Sequence, residues 1–251
     1  MPLLIWTALA AAVIYGAYRA TPILAQAHVM RVEKIIVRGN ERLSKGEVLA
    51  VLSGLRGENL MWTDLDQWRR RLMASPWVRD AALRRSLPST VEIAISERQP
   101  IGIGRIHSDL YLVDERGVVI DQYGPQYADL DLPIIDGLSA APADGGALTD
   151  EGRADLASRV IAALKSKPII ARRLSQVDVS DLHNASVILN GDPAMIQLGE
   201  DQFLTRLQSY LDLAPTLHER VADIDYVDLR FDDRIYVRPT GKKKSEGRSQ
   251  K

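Results

Sequence analysis

The N-terminal segment constrains the fold of this chain more than any other feature of the sequence. Residues 2–18 contain no charged side chain and are mostly apolar. A helix that spans a lipid bilayer needs about 20 mostly apolar residues, and about 17 is the lower limit. We therefore expect residues 1–20 to form a single transmembrane helix and residues 21–30 to form a linker to the rest of the chain.

Two other interpretations of this segment stay open at the level of sequence. Ala25-Gln26-Ala27 resembles the cleavage site of a secretory signal peptide. A signal peptide usually begins with basic residues, however, and its apolar run is shorter than the one seen here. The third interpretation is a buried helix of a globular domain.

The charges around the segment bear on its orientation. No Lys or Arg precedes it, whereas Arg19, Arg31, Lys34 and Arg38 follow it. The positive-inside rule taken alone would place the large folded region in the cytoplasm. Our hypothesis is that a basic cytoplasmic tail precedes Met1 in the native protein. Longer reading frames without upstream Arg or Lys codons would contradict this hypothesis.

Composition excludes several functional classes. The chain has 32 Lys and Arg against 33 Asp and Glu, for a net charge of −1. A nucleic-acid-binding domain usually carries a clear basic excess, so we expect no nucleic-acid partner. The absence of cysteine excludes disulfides, thiol nucleophiles and cysteine-ligated metal centres.

The pattern over residues 31–99 predicts a small domain with the order β-α-α-β-β. Ser44 and Glu47 have the spacing of a capping box, which begins a first short helix. Apolar residues at helical spacing over residues 65–72 predict a second helix. Residues 91–96 alternate between apolar and polar, as in a half-buried strand. Strands are predicted at residues 32–37, 78–85 and 91–96.

The pattern over residues 100–239 predicts a larger, β-rich domain with two or more helices. Residues 138–148 are small and rich in Gly and Pro, which is typical of an exposed loop. Thr149 is expected to cap a helix that ends before Pro168, and a second helix is expected at residues 203–211. Strands are predicted at residues 110–114, 118–121, 174–179, 186–189, 195–198, 226–231 and 234–237. Residues 240–251 are expected to form a disordered basic tail. The predicted class is therefore α+β.

The sequence contains no recognisable constellation of catalytic, cofactor-binding or metal-binding residues. Its histidines are not spaced like metal ligands, and no nucleophile-elbow or nucleotide-binding motif is present. The densest acidic group is expected to lie on solvated strand faces and turns, with a divalent-cation site as the alternative. That group comprises Asp223, Asp225, Asp228, Asp232 and Asp233. We expect a protein that is not an enzyme and needs no cofactor.

Several short motifs in a fixed order resemble one known family. They are V-E-K-I at 32–35, V-R-G-N at 37–40, G-E-N-L at 57–60, S-P-W-V at 75–78, L-R-R-S-L-P-S-T-V-E-I at 83–93, S-E-R-Q-P at 96–100, L-V-D-E-R-G-V-V at 112–119 and Y-V-D-L-R-F at 226–231. Each motif is weak alone, but together they resemble the FtsQ/DivIB family of bacterial cell-division proteins. The short N-terminus and the basic C-terminal tail depart from the family pattern.

The resemblance implies a fold, a location and partners. Residues 31–99 would form a POTRA domain and residues 100–239 an FtsQ-type β domain. Both would lie in the periplasm, held at the division septum by a single pass through the inner membrane. The family assembles with FtsB and FtsL, and the resemblance suggests FtsK and septal peptidoglycan-synthesis proteins as further partners.

The predicted partner-binding site is the C-terminal strand pair. A strand at the edge of a sheet has unpaired backbone groups that another chain can use, and residues 234–238 are the candidate edge. The resemblance implies that Arg230 and Phe231 contact FtsB. The alternative is internal, with Phe231 in the core and Arg230 paired to Asp228 or Asp232. The predicted site comprises Arg230, Phe231, Arg234, Ile235, Tyr236, Val237 and Arg238.

Two other functions remain as alternatives. One is an anchored periplasmic hydrolase, for which a pocket holding two carboxyl groups of raised pKa would be evidence. The other is an assembly or secretion protein with POTRA domains. Such proteins usually repeat the POTRA unit, and the sequence contains no such repeat.

Overall fold

The chain folds into two compact units, residues 1–98 and residues 99–251. The computed structural model describes residue 10 and residues 12–16, 30–143, 146–221, 223–231 and 234–240. Helices and strands occur in both units, and the predicted α+β class is confirmed.

The predicted transmembrane segment and linker lie mostly outside the described residues. Residue 10 and residues 12–16 are helical and exposed. Within the part of the chain that the structure describes, no helix combines the length and the apolar character needed to cross a bilayer. The predicted tail lies outside the described residues from position 241 onward.

The first unit has the predicted order of elements. They are β1 (Lys34–Arg38), α1 (Lys45–Val51), α2 (Leu65–Met73), β2 (Val78–Ser86) and β3 (Thr90–Glu97). The sheet order is β1-β3-β2. Strand β1 is parallel to β3, and β2 is antiparallel to it. The chain between β1 and β3 runs through α1, α2 and β2, which gives the long connection that a parallel pair requires.

Local sequence signals account for the helices of this unit. The Ser44 hydroxyl accepts a hydrogen bond from the Glu47 N–H at 3.1 Å, and the Glu47 carboxylate accepts one from the Ser44 N–H at 2.8 Å. The predicted capping box is therefore confirmed. Trp68 and Leu72 of α2 are buried against the apolar face of β3 in one core, as the alternating pattern of that strand predicts.

The second unit is built on one large sheet. Its elements are β4 (Pro100–Ile106), β5 (Asp109–Asp114), β6 (Val118–Gln122), a 3-10 turn (Pro125–Tyr127), β7 (Ile134–Asp136), β8 (Ala140–Ala143), β9 (Gly146–Thr149), α3 (Glu151–Lys165), α4 (Pro168–Ala171), β10 (Leu174–Asp181), β11 (Asn184–Leu189), β12 (Asp192–Gly199), α5 (Phe203–Arg220), β13 (Ile224–Phe231) and β14 (Arg234–Pro239). Within the described residues, the sheet has eleven strands in the order β14-β13-β12-β11-β10-β7-β4-β5-β6-β9-β8.

Three predictions for this unit were wrong. The expected loop at residues 138–148 contains the paired strands β8 and β9. These strands show no alternation of apolar and polar residues, and they are defined by the pairing of β8 with β9 and of β9 with β6. The N-cap of α3 is Asp150, whose side chain accepts from the Arg153 N–H at 3.2 Å, because Thr149 is the last residue of β9. Helix α5 continues to Arg220, well past the predicted end.

Helices α3 and α5 share one core with the sheet. The predicted apolar face of α3 is buried, and so is the face of α5 that carries Phe203, Leu207 and Tyr210. The Tyr210 hydroxyl donates to the Asp192 carboxylate of β12 at 2.6 Å, and both groups are buried. This hydrogen bond and the apolar contacts fix α5 against β12 and β13.

Candidate functional site

The predicted site lies on the terminal strand pair, by which we mean β13 and β14. Among the described strands, β14 is at one end of the large sheet and pairs with β13 alone. The Thr240 N–H donates to the Asp223 carbonyl at 2.9 Å. Because N–H directions alternate along a strand, the N–H groups of Ile235 and Val237 point away from β13. Residue 239 has the same parity and is proline, which has no N–H.

The two faces of β14 have different roles. The side chains of Ile235 and Val237 are half-buried and pack against the core. Arg238 is on the other face, where its guanidinium donates to Asp225 at 2.9 Å and 2.5 Å and lies over the Tyr226 ring. The core contacts hold β14 in place, while its outer backbone edge pairs with no other strand in the part of the chain that the structure describes.

Arg230 forms the internal ion pair that the sequence left as an alternative. Its guanidinium donates two hydrogen bonds to the Asp228 carboxylate, at 2.9 Å and 2.6 Å. Asp228 is buried, whereas the Arg230 side chain is 41% exposed. The hydrogen bond from Arg230 lowers the pKa of Asp228 against the opposing effect of burial. Arg230 is therefore held in one orientation with part of its surface open to solvent.

Phe231 is not a core residue. It is 53% exposed, and the edge of one ring meets the face of the other in its contact with Tyr236, at a centroid distance of 5.3 Å. Tyr236 is 47% exposed. The pairing between β13 and β14 shifts register between Asp228 and Phe231, where Phe231 opposes Arg234. Two large aromatic side chains therefore stand together at the open end of the sheet.

A groove runs between α5 and the terminal strand pair, and we call it the α5 groove. Its volume is about 540 Å³. Thr205, Ser209 and Leu213 line it from α5 at a spacing of four residues, so they form one row along the helix. Its other lining residues are Gln202, Arg206, Leu229, Phe231, Arg234 and Ile235. The groove is therefore bordered by the apolar ring of Phe231 on the strand side and by mostly polar side chains on the α5 side.

Sequence analysis did not identify the residues that α5 contributes to this groove. The predicted helix ended at residue 211, so Leu213 was not assigned to it. The repeat of Thr205, Ser209 and Leu213 at intervals of four was a usable signal, since it follows the helix beside the buried stripe of Phe203 and Leu207.

Several members of the acidic group and two of the histidines have local partners. Asp225 and Asp228 bind Arg238 and Arg230, while Asp232 and Asp233 lie outside the described residues. His183 contacts Glu200 at 2.6 Å. Among the residues that the structure describes, no three His, Asp or Glu side chains converge in a way that could hold a metal ion.

The carboxyl group of Asp136 is relevant to the hydrolase alternative. Burial raises its pKa, the Arg105 guanidinium opposes that shift, and Asp178 adds to it. The Arg105 and Asp136 side chains form an ion pair at 3.0 Å between strands β4 and β7. This contact gives Asp136 a structural partner within the sheet.

Comparison with known families gives two matches. The family model described as "POTRA domain, FtsQ-type" matches residues 30–98. The model described as "Cell division protein FtsQ/DivIB, C-terminal" matches residues 104–230, more than half of the chain. The second match ends at Arg230, so β14 lies beyond it.

Individual relatives are similar over most of the chain. A protein of Koribacter versatilis named Cell division protein FtsQ is 28% identical over 210 residues, which are 82% of this chain and 60% of the relative. A protein of the same name from Geobacter sp. (strain M21) is 26% identical, covering 92% of this chain and 84% of the relative. One from Anaeromyxobacter sp. (strain K) is 29% identical, covering 88% and 76%.

Proposed function

The chain belongs to the FtsQ/DivIB family of bacterial cell-division proteins, and from this we propose that it is a non-enzymatic scaffold of the division machinery. In this proposal a single N-terminal helix anchors it in the inner membrane and both folded units lie in the periplasm. The β domain binds FtsB and FtsL and links early and late division proteins at the septum. The observation that carries the proposal is the open edge of β14 beside an exposed aromatic pair.

Strand addition is the mode of binding that this edge supports. A partner segment laid along β14 would pair with the outward backbone groups of Ile235 and Val237. Each backbone hydrogen bond contributes a net free energy of about 0.5–1.5 kcal/mol. Hydrogen bonds of this kind give affinity with little sequence preference, so side-chain contacts must supply specificity.

Phe231 and Tyr236 are suited to supply that specificity. Large aromatic side chains dominate the energetics of many interfaces when they become fully buried. Here both rings are about half exposed and are already in contact with each other. Little side-chain conformational entropy is therefore lost on binding. The α5 groove next to Phe231 could receive a side chain or a further segment of the same partner.

Arg230 can contribute without leaving Asp228. Its Nε and Nη2 atoms are used in the internal pair, and a guanidinium has five N–H donors in all. A partner carboxylate could take the remaining donors on the exposed side. We propose that Asp228 orients Arg230 for such a contact.

A titration of the purified chain with the periplasmic segment of FtsB tests the proposal. The Ile235→Pro variant removes one outward N–H at a strand edge, where proline is tolerated. We expect its dissociation constant to rise at least about tenfold, which corresponds to about 1.4 kcal/mol, because a partner strand loses a donor and meets the proline ring. Calorimetry or fluorescence anisotropy measures the constant.

The matched control is Ile235→Ala, which loses the same apolar contacts but keeps the N–H. It should bind FtsB more tightly than Ile235→Pro at equal thermal stability. Phe231→Ala in the same titration should also weaken binding. Equal affinity of the proline and alanine variants, or no binding by the folded wild-type chain, would contradict strand addition at β14.

A further inference from the structure

The first unit exposes three large apolar side chains at one end. Trp62 is 79% exposed, and Met61 and Leu87 are each more than half exposed. Met61 and Trp62 lie in the segment before α2, and Leu87 lies in the turn between β2 and β3. We call these three residues the apolar tip.

Hydrogen bonds hold the two segments of the apolar tip together. Arg85, two residues before Leu87, donates from Nε to the Leu60 carbonyl at 2.7 Å and from Nη2 to the Thr63 carbonyl at 2.5 Å. These carbonyls flank Met61 and Trp62. The Arg85 guanidinium therefore fixes the backbone on both sides of the exposed pair.

The chain enters the first unit at the same end. The Leu60 N–H donates to the Met30 carbonyl at 2.7 Å, and the Val32 N–H donates to the Glu58 carbonyl at 2.9 Å. The Glu33 N–H donates to the Ser89 carbonyl, in the turn that carries Leu87, at 2.9 Å. The apolar tip therefore lies at the same end of the first unit as Met30, from which the chain runs into β1.

We propose that the apolar tip rests in the interfacial layer of the membrane that the N-terminal segment enters. This inference rests on the anchored part of the proposed function. Residues 19–29 connect the uncharged stretch to Met30, and eleven residues reach at most about 40 Å when fully extended. This covalent reach keeps the tip near the bilayer, so a weak contact is sufficient.

The chemistry of the tip fits the interfacial layer better than bulk water. The amphipathic ring of Trp is enriched at the level of the lipid headgroups, and Met61 and Leu87 add apolar area that can enter the acyl boundary. Arg31, Lys34 and Arg85 are exposed at this end, and the same end carries the exposed Glu33 and Asp64 and the half-buried Glu58. Because these charges balance, the apolar side chains and not lipid charge provide the contact.

Spin labelling of the full chain in vesicles tests the inference. The protein has no native cysteine, so Met61→Cys gives a single labelling site for a nitroxide. In vesicles of phosphatidylethanolamine and phosphatidylglycerol, we expect the label to be relaxed more by oxygen, which dissolves in lipid, than by a water-soluble nickel complex. The same ratio is expected in phosphatidylcholine vesicles, because lipid charge contributes little.

Lys45→Cys is the matched control, since it is exposed on α1, beyond the opposite end of β1. Its label should stay in water, with a several-fold lower ratio of oxygen to nickel relaxation. Adding Trp62→Ala should move the Met61→Cys label toward the aqueous value without changing FtsB affinity. A label at position 61 that is as aqueous as that at 45, or that leaves water only when a protein partner is added, would overturn the membrane contact. Retained FtsB binding in that case would leave the proposed function standing.

Discussion

The Asp228–Arg230 pair shows how one sequence motif fixes a side chain at an open edge. The two residues are two positions apart on β13, and therefore lie on the same face of the strand. Asp228 is buried with its carboxylate facing the guanidinium, while Arg230 extends to solvent. In the motif Y-V-D-L-R-F, the buried carboxylate of Asp228 thus orients the partly exposed guanidinium of Arg230.

The stability of the second unit should depend on pH through this pair. The pKa of Asp228 is lowered in the folded state by its hydrogen bonds from Arg230, so its contribution is present above the unfolded pKa of about 3.9 and is lost as pH falls through the lower folded pKa. Near neutral pH, Asp228→Asn should reduce the free energy of unfolding by about 1 kcal/mol, since solvent screens the exposed arginine. The difference from wild type should shrink in acid.

Chemical denaturation at several pH values measures this difference. Asp225→Asn is the control, because Asp225 is also on β13 and pairs with an arginine, Arg238 of β14, but has a more exposed carboxylate. Its effect should therefore be smaller. A difference for Asp228→Asn that stays constant into strong acid would rule out the charge of the pair as its source.

At the scale of elements, the end of β3 organises the loop that follows β1. The Glu97 carboxylate accepts hydrogen bonds from the N–H groups of Glu41, Arg42 and Leu43, at 3.1, 2.8 and 2.8 Å. Gly39 begins this loop with φ of +79°, and a Cβ there would lie 2.1 Å from the Ile95 carbonyl oxygen. The family motifs V-R-G-N and S-E-R-Q-P therefore lie close together in the fold. Gly39 of the first motif allows the close approach to β3, and Glu97 of the second binds the loop that follows Gly39.

Replacement of Glu97 tests this link between β1 and β3. Glu97→Gln keeps the shape but removes the charge and one acceptor oxygen. We expect the free energy of unfolding of the first unit to fall by about 1–3 kcal/mol, as for hydrogen bonds to a charged group. Glu92→Gln, on the same strand and paired with the exposed Arg84, should have the smaller effect in the same thermal unfolding measurement. The reverse order would show that the loop does not depend on Glu97.

The sequence predicted those helices and strands whose own residues show a cap, a helical spacing of apolar residues or an apolar–polar alternation. The capping box of α1, the buried faces of α2 and α3, and the strands with alternating apolar residues were all visible in the sequence. Strands β4, β7, β8 and β9 were missed. Strand β4 contains two glycines, β7 has three residues, and β8 and β9 are made of small residues. Their pairing with distant strands determines these elements, and local residues do not encode it.

At the scale of the whole molecule, each unit presents a different kind of surface. The first unit gathers exposed apolar side chains where the chain enters it, and the second unit leaves a sheet edge open near the C-terminal end of the described chain. Each unit has its own buried core. We propose that one unit meets the membrane and the other meets the partner proteins.

The candidate site was predictable only in part. The strand position of residues 234–238 and the family motif ending in Phe231 indicated that these residues lie at an edge of the sheet, where the structure places them. The sequence could not decide between a buried and an exposed Phe231, because the register shift that places it opposite Arg234 depends on how β13 and β14 pair. It also could not reveal the α5 groove, which needs α5 and the strand pair packed side by side.

Amide hydrogen exchange on the chain, with and without a saturating FtsB segment, tests the central claim most directly. The outward N–H groups of Ile235 and Val237 should exchange fast in the free protein and slow by at least about tenfold in the complex, because they gain a partner strand. The N–H groups of Tyr236 and Arg238, which point toward β13, should already be protected. Saturated binding that leaves Ile235 and Val237 unprotected would contradict recognition by strand addition at β14.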